Sequence, residues 1–255
     1  MYSASGRCDN AGVKTYRDDA IVLRYHDIGE ADRVITMLSR RNGKVRAVAK
    51  GVRRTKSRFG ARVEPFSMVD VQLYRGRSLD TITQVESRSQ YGRTLAGDYD
   101  AYTTASAMLE LADRLTGEDA DPEQFQLLHG ALHAAATFAH RPELVLYSYM
   151  LRAMALSGWA LAVFECARCA APGPHEAFHV HSGGAVCNDC RPPGATIPTV
   201  ETWQLIGALA EGDWRIADAA AEPARRSAGA LIAAFVQWQL ESNVLSLRMV
   251  RVGEN

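Results

Sequence analysis

The sequence predicts a multidomain α+β protein in which a small β-barrel precedes an α-helical domain. Three observations lead to this prediction. Short β-type segments fill the chain as far as about residue 92, and helical periodicity replaces them from there on. The formal charge changes sign at the same place, although the whole chain of 255 residues is neutral. Four of the five cysteines form two close pairs within the second part.

Five short segments with β character lie between residues 16 and 90. Asn42-Gly43 joins the second segment to the third, as in a tight hairpin whose central residues need positive φ. Five strands in about 75 residues fit a small antiparallel barrel, and the OB-fold is the commonest barrel with so few strands in so short a chain. The predicted strands are 20–25, 33–38, 44–49, 66–74 and 79–85.

Helical patterns follow the predicted barrel. Apolar residues recur at i, i+3 and i+4 over residues 102–115, as on the buried face of a helix. Asp121-Pro122 supplies an N-cap and a first-turn proline for the next helix. A third helix is predicted over residues 142–158. Two more are predicted at about 200–210 and 224–240.

Two C-x2-C pairs interrupt the helical part of the chain. Cys166 and Cys169 form the first pair and Cys187 and Cys190 the second, with 17 residues between the pairs. Each short turn aims two thiolates at one point, and two such turns give the tetrahedral four-sulfur shell that Zn²⁺ accepts. Because four cysteines close the shell, they leave no open position for catalysis. The sequence therefore predicts one structural Zn²⁺ in an inserted zinc ribbon with four cysteine ligands.

A zinc enzyme acting on nucleic acid is an alternative for this region. Zinc deaminases carry His-x-Glu followed by Pro-Cys-x-x-Cys, but here Glu176 follows His175 directly and no proline precedes Cys187. His179 and His181 could add ligands, although four cysteines already fill the tetrahedral count. The sequence shows no Walker phosphate loop, no close Ser/His/Asp motif and no evident two-metal carboxylate cluster. We therefore predict that the protein is not an enzyme and has no catalytic residues.

A basic run in the predicted barrel is the main binding signal. Residues 14–94 carry 18 Lys plus Arg against 9 Asp plus Glu, whereas residues 95–255 carry 10 against 19. Between Arg33 and Val63 there are eleven of these cations and no acid. Cations that neutralise phosphates release condensed counterions, so the run fits a nucleic-acid backbone. A solvated surface loop is the alternative, although such loops usually mix both signs.

The third predicted strand and the loop after it divide this run. Lys44 and Arg46 alternate along the strand, so both side chains point to one face, which we expect to contact DNA. The loop over residues 50–58 continues that basic face. Phe59, beside the loop, could stack on a base or pack in the core.

Several motifs resemble those of the RecO family of bacterial recombination mediators. They extend over about residues 17–250 and include both cysteine pairs. The other similar stretches are Ala20-Ile21-Val22-Leu23, Gly29-Glu30-Ala31-Asp32-Arg33, Gly43-Lys44, Ala49-Lys50-Gly51-Val52-Arg53-Arg54, Ser57-Arg58, Glu64-Pro65-Phe66, Tyr74-Arg75-Gly76, Gly158-Trp159 and Ser246-Leu247-Arg248.

This resemblance implies an N-terminal OB-fold, a helical C-terminal domain and a zinc ribbon inserted in it. It also implies a mediator of DNA repair and homologous recombination that binds single- and double-stranded DNA and anneals complementary strands. Together with RecR, such a mediator helps to load RecA onto strands coated by single-stranded DNA-binding protein (SSB). The alternative is an RNA-binding accessory protein with an OB-fold and a zinc ribbon.

The resemblance also bears on the contact residues. The match to the family motif implies that four residues contact DNA, namely Lys50, Arg53, Arg54 and Arg58. The acidic C-terminal tail of SSB is an implied docking peptide. Its pocket should combine a basic side chain with apolar lining, and Arg152 near Leu156 is the candidate. The complete predicted DNA-binding set is Lys44, Arg46, Lys50, Arg53, Arg54, Lys56 and Arg58.

We expect a cytoplasmic, nucleoid-associated protein without a membrane partner. No apolar run approaches the ~20 residues of a membrane span, and the N-terminus lacks the apolar core of a signal peptide. Cysteines in a reducing compartment rarely form structural disulfides, so Cys8 is expected to be a free thiol. The predicted boundaries are a disordered leader at 1–15, the OB-fold at 16–92, the helical domain at 93–164 and 192–250, and the zinc ribbon at 165–191.

Overall fold

The computed structural model describes residues 14–55, 57 and 59–240. Cys8, Lys56, Arg58 and the Ser246-Leu247-Arg248 motif lie outside the described residues. Most of the predicted leader lies outside them as well.

Five strands close into a barrel in the N-terminal part of the chain. They are β1 (Thr15–Ile28), β2 (Asp32–Ser39), β3 (Gly43–Ala49), β4 (Ser67–Tyr74) and β5 (Asp80–Gln90). Their order around the barrel is β1-β2-β3-β5-β4, with β4 pairing back onto β1. Every pair is antiparallel except β3 with β5, which meet only at Ala47–Asp80 and Val48–Thr81. This is the OB-fold barrel that the sequence predicts.

The first strand is much longer than the predicted segment 20–25. β1 has 14 residues because its first half pairs with β4 and its second half with β2. A register shift between Val22 and Arg24 accompanies the change of partner. Such a bulge bends a strand locally, as the closure of a barrel requires. The ends of β1 are polar, so a search for apolar runs in the sequence does not detect the full length of the strand.

Seven helices follow the barrel in the described part of the chain. They are α1 (Gly92–Leu95), α2 (Tyr99–Leu115), α3 (Pro122–Ala136), α4 (Pro142–Leu156), α5 (Val200–Glu211), α6 (Trp214–Ala219) and α7 (Glu222–Gln239). As predicted, the Asp121 side chain caps α3, accepting a hydrogen bond from the backbone N–H of Gln124 at 3.0 Å. The short helices α1 and α6 were not predicted, because fewer than two turns of helix carry no recognisable periodicity.

The helices pack against the outside of the barrel. Inward-facing residues such as Ile35, Met37 and Ala47 fill the barrel interior. On the other face of β1 and β2, Ile21 and Leu38 belong to the same apolar cluster as the helices. The outer face of β2 is therefore closed to ligands, while the outer side of β3 remains partly open.

Candidate metal centre and nucleic-acid interface

The four paired cysteines meet at one end of a small ribbon. Its hairpin consists of β6 (Ala177–His179) and β7 (Gly184–Val186), with one C-x2-C turn before it and one after it. The four sulfur atoms all lie within 4.8 Å of one another, and those of Cys169 and Cys187 are 3.8 Å apart. Tetrahedral Zn–S bonds of about 2.3 Å would separate the sulfurs by about 3.8 Å. The cysteines are thus placed closely enough to hold a metal ion.

The protonation of the sulfurs also fits a metal site. The backbone N–H of Cys187 donates to Cys166 Sγ at 3.4 Å, and this bond is the main cause that lowers the pKa of Cys166 to about 6. Hydrogen bonds with Cys187 and then Cys169 raise the pKa of Cys190 to about 12. Without a cation, the raised pKa keeps the Cys190 thiol protonated near neutral pH. A bound dication would stabilise the four thiolates together.

The two histidines of the ribbon have other partners. His179 Nδ1 lies 2.8 Å from the Ser182 hydroxyl, and the His181 ring lies 4.0 Å from the ring of Trp238 on α7. In the described part of the chain, the only cluster able to hold a metal is the four cysteines. On the opposite face, buried Phe178 packs at 5.8 Å from Trp203 of α5. These contacts anchor the ribbon to the helical domain.

Lys44 and Arg46 both point outward from β3, but their surroundings differ. The Lys44 ammonium lies 2.5 Å from the backbone oxygen of Asp113 on α2 and 3.3 Å from its carboxylate. Arg24 binds the same carboxylate at 2.7 Å. Although burial opposes ionisation, these two cations lower the pKa of Asp113. The charge of Lys44 is thus already paired, whereas Arg46 is exposed and forms no ion pair with any described residue.

The loop after β3 is fixed to the turn between β1 and β2. The Gly51 N–H donates to Asp32 Oδ1 at 2.7 Å, and the Arg53 N–H donates to the Ala31 carbonyl at 3.0 Å. The Arg53 side chain lies 3.4 Å from Asp27 Oδ2, so its charge is partly engaged. Lys50 and Arg54 are exposed and have no acidic partner within the described ranges.

Phe59 packs in the barrel core, which decides between the two roles considered for it. Its side chain is buried with Val52 and Val63 at the barrel end. Base stacking is therefore excluded for this ring in the described fold. The buried ring therefore supports the backbone of the loop and does not form an aromatic surface for bases.

Sequence reasoning missed two cations that lie near Arg46. Arg75 and Arg77 are exposed in the turn between β4 and β5, and they line the same cleft as Arg46. The sequence marked Arg75-Gly76-Arg77 only as a turn. Their proximity to Arg46 depends on the β3–β5 contact that closes the barrel, which no local pattern indicates.

Arg152 and Leu156 do line one groove on the helical domain. It has a volume of about 840 Å³, and its walls come mainly from α3 and α4, with Trp214 of α6 at one side. The hydroxyl of Tyr149, another lining residue, is buried and has no hydrogen-bond partner among the described residues. A basic side chain, apolar walls and an unpaired hydroxyl therefore occur together here.

Comparisons with known proteins agree over nearly the whole chain. The family model described as "Recombination protein O N terminal" matches residues 13–91, and "Recombination protein O C terminal" matches residues 96–248. The chain is 53% identical over 240 residues to the DNA repair protein RecO of Thermobifida fusca (strain YX). That alignment covers 93% of this chain and 99% of the relative. None of the described helices is long and apolar enough to cross a membrane.

Proposed function

The chain belongs to the RecO family and acts in DNA repair and recombination, and we propose that it does so as a non-enzymatic mediator. In this proposal it binds single- and double-stranded DNA, anneals complementary strands and, with RecR, helps to load RecA onto SSB-coated single strands. The observation that carries it is the set of exposed cations on β3 and the following loop. Arg46, Lys50 and Arg54 have no acidic partner in the described part of the chain.

The proposed mechanism is electrostatic. OB-folds commonly bind nucleic acids on strands 2 and 3 and the adjoining loops, but here Thr36 and Leu38 of β2 are buried, Leu38 within the apolar cluster that includes the helices. The accessible cations therefore lie on β3 and its loop, where they meet phosphates rather than base edges. Binding would release counterions from one strand and lower the repulsion that opposes approach of its complement. Annealing would then need no sequence reading by the protein.

We propose that the metal is one structural Zn²⁺, held by Cys166, Cys169, Cys187 and Cys190. Four thiolates suit Zn²⁺ and leave no position for substrate. When bound, the ion would crosslink the two knuckles of the ribbon. The support comes from the clustered sulfurs and the N–H donor to Cys166.

Changing Lys50, Arg53 and Arg54 together to alanine should weaken DNA binding. Each lost contact with a single-strand phosphate makes the plot of log affinity against log salt less steep by about 0.7, so the triple variant should lose about 2 from the slope. Fluorescence anisotropy with a labelled oligothymidine measures both quantities. The matched control is R141A/R215A/R226A, which removes three exposed cations from the helical domain. An unchanged affinity and slope in the barrel variant would contradict the proposal.

Competition between RNA and DNA distinguishes the RNA-binding alternative from the proposed DNA binding. A matched RNA oligonucleotide should displace the DNA no better than unlabelled DNA does, because phosphate contacts alone do not read the 2′-hydroxyl. Much stronger displacement by RNA would favour the alternative.

We further propose that the SSB tail docks in the groove lined by Arg152. An acidic peptide with an apolar end would meet the guanidinium and the apolar walls. Because a hydrogen bond to a charged group contributes about 1.5–3 kcal/mol, Arg152→Ala should weaken binding of the tail peptide at least tenfold. Titration of the labelled peptide measures this, with Arg226→Ala as the control. Equal affinities for the two variants would exclude this groove as the docking site.

A further inference from the structure

We propose that the backbone of single-stranded nucleic acid also occupies a second basic cleft, at the opposite end of β3 from the loop over residues 50–54. The inference rests on the proposed DNA binding and extends that surface to residues not assigned above. The cleft has a volume of about 630 Å³ and lies between the β2–β3 hairpin, the β4–β5 turn and the α2–α3 loop. Its basic lining residues are Arg41, Lys44, Arg46, Arg75 and Arg77.

Three of these cations are available to an anion. Lys44 is paired with Asp113, and Arg41 lies 3.1 Å from the buried carboxylate of Asp18. Arg46, Arg75 and Arg77 are exposed and form no ion pair within the described part of the chain. Counting every lining residue, the cleft holds five cations against the three acids Asp80, Glu118 and Asp119, so it is positive overall. A positive cleft attracts polyanions, because its low-dielectric walls focus the field.

The turn that carries two of the cations is held in one shape. Asp80 accepts a hydrogen bond from the Gly76 N–H at 3.0 Å and another from the Tyr16 hydroxyl. A Cβ at Gly76 would lie 1.8 Å from the Leu79 carbonyl oxygen, so the turn is as tight as glycine allows. Because the turn backbone is already ordered, only the side chains of its arginines lose conformational entropy on binding.

Tyr16 also orients one of the arginines. The Arg75 guanidinium carbon lies 4.6 Å from the centre of the Tyr16 ring. Stacking uses the flat face of a guanidinium and leaves the N–H groups at its edge free to donate. The N–H groups of Arg75 therefore remain available to donate hydrogen bonds to phosphate oxygens.

The cleft joins the first basic surface along β3. Lys50 follows β3 directly, four residues after Arg46, and both side chains are exposed. At about 3.3 Å per extended residue, they are separated by at most about 13 Å. One extended backbone can thus contact the loop over residues 50–54, Arg46 and the β4–β5 turn in succession.

The opposite wall of the cleft is acidic. Glu118 and Asp119 line it from the α2–α3 loop, and neither forms an ion pair with a described cation. Their negative charge opposes every phosphate that enters. A duplex brings a second strand of phosphates near this wall, so the cleft should favour a single strand over a duplex.

The test uses the full chain with Arg75 and Arg77 changed to alanine. Anisotropy with labelled oligothymidine should show weaker binding and a salt slope less steep by about 1.4, since two single-strand contacts are lost. The control R215A/R226A should keep the affinity and slope of the unchanged protein. E118Q/D119N should bind DNA more tightly, with the larger gain for a duplex. Thermal unfolding of each variant checks that it remains folded.

Three results would overturn the inference. If R75A/R77A matches the control in affinity and slope while the Lys50, Arg53 and Arg54 variant loses binding, the second cleft fails and the proposed function stands. If neither variant loses binding, both fail. If R75A/R77A keeps DNA binding but loses an acidic SSB-tail peptide, the cleft binds protein instead.

Discussion

Cys166→Ser is expected to abolish metal binding and unfold the ribbon. Within the ribbon itself little else stabilises the two knuckles, because its strands have three residues each and its own buried cluster is Cys166, Ala177 and Val186. Metal binding supplies about 10–16 kcal/mol to small zinc domains, far more than such a cluster can. The loss should reach the helical domain through Phe178 and Trp203, which pack together. Elemental analysis and thermal unfolding on one sample measure both effects.

Cys8→Ser is the matched control for this change. It removes a thiol that belongs to neither C-x2-C pair. We expect this variant to keep one zinc per chain and the original unfolding temperature. Stoichiometric zinc in the Cys166 variant, or an unchanged unfolding temperature after the metal is lost, would contradict a structural four-cysteine site.

Gly43→Ala is expected to destabilise the whole fold by about 2–5 kcal/mol. Gly43 has φ +63°, and a Cβ there would lie 2.3 Å from the backbone oxygen of Asp119 in the α2–α3 loop. The neighbouring N–H of Lys44 donates to the Gly117 carbonyl at 2.6 Å. The added methyl group would therefore separate the barrel from the helices as well as strain the hairpin. Denaturant unfolding measures the change.

Gly29→Ala separates these two effects. Gly29 also has positive φ, at +56°, but a Cβ there would meet no heavy atom within 4 Å. It should show only the cost of the left-handed backbone, about 1 kcal/mol. Equal losses in the two variants would mean that the contact with the α2–α3 loop contributes nothing.

Local signals in the sequence predicted much of this architecture. Asn42-Gly43 marks a hairpin, Asp121-Pro122 marks a helix start, and each C-x2-C pair is complete within four residues. In each case the physical cause lies among neighbours in the chain. These local features are present in the folded protein because its tertiary contacts are compatible with them.

Local signals could not predict which individual cations are paired with an acid and which are not. The partner of Lys44 is Asp113, 69 residues later, and it reaches Lys44 only because α2 packs on the barrel. Likewise, the turn containing Arg75 comes beside Arg46 only through the β3–β5 contact. A basic run in the sequence therefore identifies a surface, whereas the fold decides which of its charges remain unpaired.

Strand annealing tests the central claim most directly, because it requires DNA binding and charge screening by the same surface. The measurement is the rate at which complementary oligonucleotides pair, bare or coated with SSB, with zinc content determined on the same sample. The account predicts rapid annealing by the unchanged protein and by R141A/R215A/R226A. It predicts a large loss for the variant with Lys50, Arg53 and Arg54 changed to alanine. Undiminished annealing by that variant, folded and with its zinc retained, would contradict the account.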